Sequence, residues 1–262
     1  RLHAVAILAQ ATYEPKARTC ADLACAHSAS GMEPITGFSS PALAWSNTPA
    51  AWKLDEEAGS LEITPDTGRD YWARTYYTPP LIKSDAPALL AAVPSEQEVT
   101  LEVSFTLRPV EQFDQAGVLV RVDEGTWAKA GIEYCDGAPR LSCVVTNGGF
   151  SDWSTQELQG LSLRMRVHKL HPGPEQGHCI VVEVAPATGG KDGGSEPPAK
   201  TGKPAPWTFV RIASLRSEGK PWHMGPFAAS PIQQIGGGAT FHSLHIGPKT
   251  GTSHQTESGH IV

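Results

Sequence analysis

From about residue 40 onward, apolar and polar positions alternate over short runs that Gly, Pro, Asn and Asp interrupt. No stretch sustains the recurrence of an amphipathic helix, so the pattern predicts strands separated by turns. The runs cover residues 51–54, 60–64, 71–75, 98–107, 116–123, 127–134, 140–146, 161–169, 179–184, 208–215, 222–229 and 240–246. Strands so short and so numerous imply an all-β, two-sheet antiparallel jelly-roll sandwich. A short helix is expected over residues 85–92, where Asp85 supplies a cap and Pro87 falls in the first turn.

The clearest alternation lies in residues 113–154. Ala116, Val118, Val120 and Val122 point to one face, and Gln115, Gly117, Leu119, Arg121 and Asp123 to the other. After a turn at Asp123-Glu124-Gly125-Thr126, the next strand puts Ala128, Ala130, Ile132 and Tyr134 on one face and Trp127, Lys129, Gly131 and Glu133 on the other. A second turn at 135–139 leads into a third strand over 140–146. Three antiparallel strands therefore share one apolar face and one face that carries Arg121, Lys129 and Glu133.

This block, together with Trp45-Ser46-Asn47, Asp70-Tyr71-Trp72 with Thr75, and Ser151-Asp152-Trp153-Ser154, resembles the regulation-of-enolase-like family of poorly characterised proteins. The resemblance covers most of residues 38–246 and breaks at 1–31 and at 186–206. It implies a sandwich of the concanavalin A-like lectin/glucanase superfamily, with its first and last strands close together. It implies no reaction and no catalytic residues. Related modules occur as accessory domains beside glycoside hydrolases, which brings a carbohydrate ligand into view.

Composition narrows the picture further. A chain of 262 residues can bury a large core without disulfides or metal. The net charge of −6, with Lys and Arg scattered, argues against nucleic acid or a membrane as partner, and no apolar run approaches the ~20 residues of a membrane helix. The cysteines (Cys20, Cys25, Cys135, Cys143 and Cys179) are odd in number and form no CxxC pair, which reads as reduced thiols in a cytoplasmic protein. Cys135 and Cys143 could meet across a hairpin, although two small buried thiols is the simpler reading. Residues 1–31 read as an N-terminal extension or leader outside the fold, which leaves targeting open. Residues 32–247 read as one sandwich domain. Its insertion at 186–206, rich in Gly, Pro and Lys, and the polar tail at 248–262 cannot bury enough surface to order themselves.

Candidate chemistry concentrates on the polar strand faces. If the three-strand block lines a concave groove, Gln115, Arg121, Lys129 and Glu133 sit there together, and Arg164, Arg166 and His168 on a later strand could join them. Asp152 and Trp153 would form a wall and Trp222 and His223 an aromatic rim. Forked donors beside a flat ring suit a carbohydrate or sugar phosphate. The same residues also suit an ordinary polar sheet face with cross-strand ion pairs, and Asp152 and Trp153 could serve as a turn cap and an edge plug.

Three functional classes follow: a non-catalytic sugar-binding sandwich that regulates sugar metabolism, a module that binds a metabolic enzyme, and a glycoside hydrolase. A hydrolase needs a second carboxylate facing Glu133, from Glu183 or Asp152, yet the E-x-D-x-x-E strand of glucanases is absent. Arg69-Asp70 reads as a turn ion pair. His168 and His171 flank a strand end, and His242 and His245 would project from opposite faces of a strand, so spacing suggests no metal centre. Asp66, or Asp123 with Glu124, are weak calcium candidates. No cofactor is expected.

Overall fold

The computed structural model describes residues 32–171, 173, 175, 177–187, 206–232 and 236–253. The segment 1–31, most of the 186–206 insertion and residues 254–262 lie outside the described residues. In chain order the strands are β1 (Ile35–Thr36), β2 (Leu43–Trp45), β3 (Ala51–Asp55), β4 (Ser60–Thr64), β5 (Tyr71–Ala73), β6 (Ile82–Ser84), β7 (Leu89–Val93), β8 (Val99–Arg108) and β9 (Gln115–Asp123). They continue with β10 (Thr126–Cys135), β11 (Ala138–Asn147), β12 (Phe150–Glu157), β13 (Ser162–Leu170), β14 (Cys179–Pro186), β15 (Thr208–Ser214), β16 (Trp222–Ala229) and β17 (Gly238–Pro248).

Two antiparallel sheets stack face to face. One has eight strands in the order β15-β14-β13-β8-β17-β4-β3, with β1 also paired to β17. The other has seven, β12-β11-β10-β9-β16-β7-β2. The first and last strands lie side by side as expected, with Ile35 opposite Ile246, while β4 takes the other end of β17.

The inner faces follow from period 2. The eight-stranded sheet contributes large side chains such as Leu101, Phe105, Met165, Val182 and Phe241, and the seven-stranded sheet contributes smaller ones such as Ala116, Val118, Ala128, Ala130 and Cys143. Large residues facing small ones let the layers interdigitate at the density of a native core. The expected meander is present: Val120 opposes Ala128, Ala130 opposes Cys143, and Gln115 opposes Glu133.

Two elements differ from expectation. Residues 85–92 form no helix; Ala88 bridges Phe227, and 89–93 is the strand β7. Both of its faces are covered, Leu89, Ala91 and Val93 by the main core and Ala88 and Leu90 by a second cluster, so the alternation is masked by an apolar run. The stretch 147–154, which lies outside the predicted runs, is a hairpin into β12. Gly148 and Gly149 take φ of 60° and 77°, the positive pair that a two-residue turn needs.

The start of the expected tail is also built in. Thr250 N donates to Thr100 Oγ1 (2.9 Å), and Ser253 N donates to Glu183 Oε1 (2.7 Å), across the outer face of the eight-stranded sheet.

Candidate functional site

The outer face of the seven-stranded sheet is covered by residues 66–88, which include the β5–β6 hairpin. Tyr71, Trp72, Ala86 and Ala88 pack there against Leu119, Trp127, Val144 and Phe227, forming a second apolar cluster outside the sandwich. Tyr71 and Trp127 meet edge to face at 5.4 Å, and Ser151 Oγ accepts the Ala73 amide at 2.9 Å. This cover explains why β9 and β10 are buried on both faces.

Where the cover ends, a shallow recess with room for about one water molecule remains, lined by Gln115, Lys129, Gly131, Glu133, Ser142 and Phe227. Its floor depends on Gly117 and Gly131, which oppose each other on β9 and β10. A Cβ at Gly131 would lie 2.0 Å from the Ala116 carbonyl oxygen, so only glycine permits this approach.

Lys129 pairs with Asp70 (Nζ to Oδ1, 2.7 Å), and the same oxygen accepts the Tyr71 amide at 2.7 Å and Gln115 Nε2 at 3.2 Å. Glu133 is treated differently. Its Oε2 accepts the Ser142 hydroxyl at 2.6 Å, and Ser142 Oγ in turn accepts Trp153 Nε1 at 2.9 Å. Among the described residues no cation lies within ion-pair distance of it. Burial first, and the Asp70 charge second, push the Glu133 carboxyl above the usual range against the opposing pull of Lys129, Ser142 and Trp153. In its protonated form, which this burial favours, the carboxyl donates as well as accepts hydrogen bonds.

Aromatic rings stand at the mouth. Trp153 meets Trp72 at 6.2 Å, Trp72 meets Tyr77 at 5.5 Å, and Tyr77 meets Tyr76 at 5.3 Å, each edge to face. Tyr76 is 90% exposed, and it and Arg74 hold φ of 74° and 57°, in the left-handed region that non-glycine residues avoid. Arg74 is fixed by donating to Gly149 O at 2.9 Å, with its guanidinium over the Phe150 ring. Backbone strain is thus spent on holding a tyrosine out in water, a pattern that clusters at ligand sites.

The structure divides the sequence-predicted residues among several places. Gln115, Lys129, Glu133 and Trp153 come together at this recess. Arg121 and His223 lie at the far end of the same sheet face, opposite each other in register, with Arg121 Nη1 donating to Ser46 Oγ at 3.3 Å. Burial and the Arg121 charge lower the His223 pKa.

Arg164, Arg166 and His168 do not join them, because β13 belongs to the other sheet and its outer face looks the opposite way. There Arg164 pairs with Glu102 at 2.9 Å, and Glu183 binds both Arg166 (2.5 Å) and His168 (3.0 Å). Trp222 is no rim: it is fully buried in the main core, since it and His223 are adjacent and must face opposite ways. Asp152 likewise parts from Trp153 and is bound by Arg211 on β15 at 3.0 Å, closing the open side of the sandwich between two edge strands.

Neither acid offered as a partner for Glu133 therefore faces it. Asp70, which sequence reading assigned to Arg69, is the carboxylate that reaches this site; Arg69 pairs with Asp66 instead. Nothing local signals a contact between residues 59 positions apart. Of the calcium candidates, Asp123 is held by Lys220 at 2.7 Å. His242 and His245 share the outer face, because a bulge between Phe241 and Ser243 resets the alternation. Cys135, Cys143 and Cys179 are free thiols, and Cys20 and Cys25 lie outside the described residues.

A family match runs over residues 45–249, to the family described as "Protein of unknown function (DUF1349)". The chain belongs to DUF1349. This DUF1349 chain is 37% identical over 129 residues to Regulation of enolase protein 1 of Saccharomyces cerevisiae, a match covering 48% of this chain and 62% of that protein. The match thus spans less than two thirds of that relative. Its fold is similar to the crystal structure of a functionally unknown protein from Saccharomyces cerevisiae, with TM-score 0.64, 28% identity, and coverage of 80% of this chain and 98% of that one. The structure titled Bacteroides ovatus Xyloglucan PUL GH43B shares the fold at TM-score 0.57 and 15% identity, over 83% of this chain and 40% of that one. The regulation-of-enolase-like resemblance and the concanavalin A-like sandwich are both borne out.

Proposed function

We propose that this DUF1349 chain is a non-catalytic cytoplasmic sandwich that binds a carbohydrate or sugar-phosphate-like ligand across the mouth of the Glu133 recess and so regulates sugar metabolism. The observation that carries this reading is the row of exposed or half-buried rings Trp153, Tyr77 and Tyr76, built on the buried Trp72, beside a buried carboxyl. Ring faces suit the C–H face of a pyranose, and Glu133, Ser142 and Lys129 suit its hydroxyls or a phosphate. The recess has room for only about one water molecule, far less than the roughly 300 Å³ at the low end of enclosed small-molecule sites, so the ligand would lie along the wall and reach the recess with a single polar atom. The hydrolase reading loses support because Glu183 and Asp152 lie elsewhere and Asp70, the acid that does come near Glu133, is tied to Lys129.

The second reading is a module that docks a metabolic enzyme, favoured by the likeness to a protein named for enolase regulation. Titration with xylo-oligosaccharides, hexose phosphates and glycolytic intermediates, followed by tryptophan fluorescence, tests the first. Saturable quenching that Trp153→Ala and Tyr76→Ala abolish is expected. No response up to about 10 mM of any of these ligands, weaker than about −3 kcal/mol, would refute it. Capture of enolase that survives both substitutions would favour the second.

A further inference from the structure

We propose that Glu96, His171 and His178 form a binding site for a divalent transition metal, with Zn²⁺ as the reference ion. They lie far from the Glu133 recess, at one end of the sandwich. His171 follows β13, His178 precedes β14, and Glu96 lies in the turn between β7 and β8. One ligand atom from each, either ring nitrogen or a carboxylate oxygen, lies within 4.8 Å of the other two. Glu96 Oε2 is 2.7 Å from His171 Nε2, and Glu96 Oε1 is 4.0 Å from His178 Nε2. The two imidazoles stack at 4.2 Å with an interplanar angle of 26°, so both present their edges to the same carboxylate.

Two imidazoles and one carboxylate are a donor set that suits Zn²⁺ and its neighbours, and three protein ligands leave a fourth position for water or another ligand. The surroundings hold the ligands in place, as outer partners do around metal centres. Ser217 Oγ sits 2.9 Å from His178 Nδ1, and Glu98 Oε1 accepts the His171 backbone amide at 2.9 Å. His171 Nδ1 is buried without a hydrogen-bond partner among the described residues, an orphaned donor-acceptor atom on a proposed ligand. Lys169 donates to the Ser95 and Gln97 carbonyls over the Trp222 ring, and the same Ser95 oxygen lies 3.1 Å from His178 Nε2, so a metal bound at that nitrogen would take the place of this hydrogen bond. Glu96 itself is 69% exposed at its side chain, which leaves the cluster open to ions from solvent.

Spacing along the chain hides this site, because it pairs His171 with His168, whereas the fold pairs it with His178 and with an acid from the turn before β8, six strands earlier. Calorimetric titration of the full 262-residue chain with Zn²⁺ alone tests the proposal. One equivalent binding at micromolar affinity or tighter is expected, with His171→Ala, His178→Ala and Glu96→Gln each weakening it, the histidine changes on the order of 100-fold. His242→Ala/His245→Ala, which removes the other histidine pair, should leave the affinity unchanged. Glu96→Gln alters an exposed side chain and keeps the test valid if a histidine variant fails to fold. Absence of stoichiometric binding at about 100 µM Zn²⁺, or binding that all three substitutions leave intact, would overturn the proposal.

Discussion

Glu133 on β10 and Glu183 on β14 are both enclosed carboxylates on strands paired on both sides, one on the outer face of each sheet. Burial pushes both upward, yet they end in opposite states. Around Glu183 burial is overridden by hydrogen bonds from the Ser253 hydroxyl and amide, His168 and Arg166, which hold it at about 2. Around Glu133 burial prevails and the carboxyl stays above its ordinary range. Glu183 is thus a neutralised strut in a polar sheet face. Glu133 is a buried acid with no ion-pair partner among the described residues, beside strained backbone and exposed rings. Perturbation of that second kind, in a recess, is what motivates the proposed site on this face.

The largest effect expected concerns the cover that creates the difference. Trp127→Ala empties the centre of the second apolar cluster and should cost about 3–5 kcal/mol in denaturant unfolding. A loss below about 1 kcal/mol would mean that residues 66–88 are not packed on the sheet as described.

Next come the two acids, compared by thermal melts across pH. Glu183 has a depressed pKa, so its contribution is present above the unfolded value near 4.5 and fades as pH falls towards about 2. Glu183→Gln should therefore destabilise at pH 7 by up to about 3 kcal/mol, with the difference shrinking in acid. Glu133 has a raised pKa, so the wild type loses stability as pH climbs above 4.5 through the raised value. Glu133→Gln should melt at or above the wild type at pH 7 and lose that advantage near pH 4. The same sign for both substitutions at pH 7 would erase the distinction between the faces. The smallest stability effect belongs to Trp153→Ala, about 1 kcal/mol or less for a partly exposed ring, although ligand response should vanish with it.

Much of the fold was legible because period 2 assigns every residue of β9, β10 and β11 to a face. The same rule read strictly separates Asp152 from Trp153 and Trp222 from His223, since neighbours in a strand cannot share a face. Parity says nothing about which sheet a strand joins, so Arg164, Arg166 and His168 could not be kept from the Glu133 face by local pattern alone. The link of Asp70 to Lys129, and the place of Tyr76 and Tyr77, were hidden for a related reason: their role depends on a crossover segment laid over a sheet formed later in the chain. Where a bulge resets the alternation, as at Phe241–Ser243, even face assignment needs the paired strand.

The most direct measurement is a ¹H–¹⁵N correlation spectrum of the labelled chain titrated with a bound oligosaccharide or sugar phosphate. Shift changes confined to residues 70–77, 129–133, 142 and 151–153 are expected, with the indole N–H of Trp153 among the most affected. Changes centred on Glu102, Arg164, Arg166 and Glu183 instead, or none at saturating ligand, would contradict the assignment of function to the covered face.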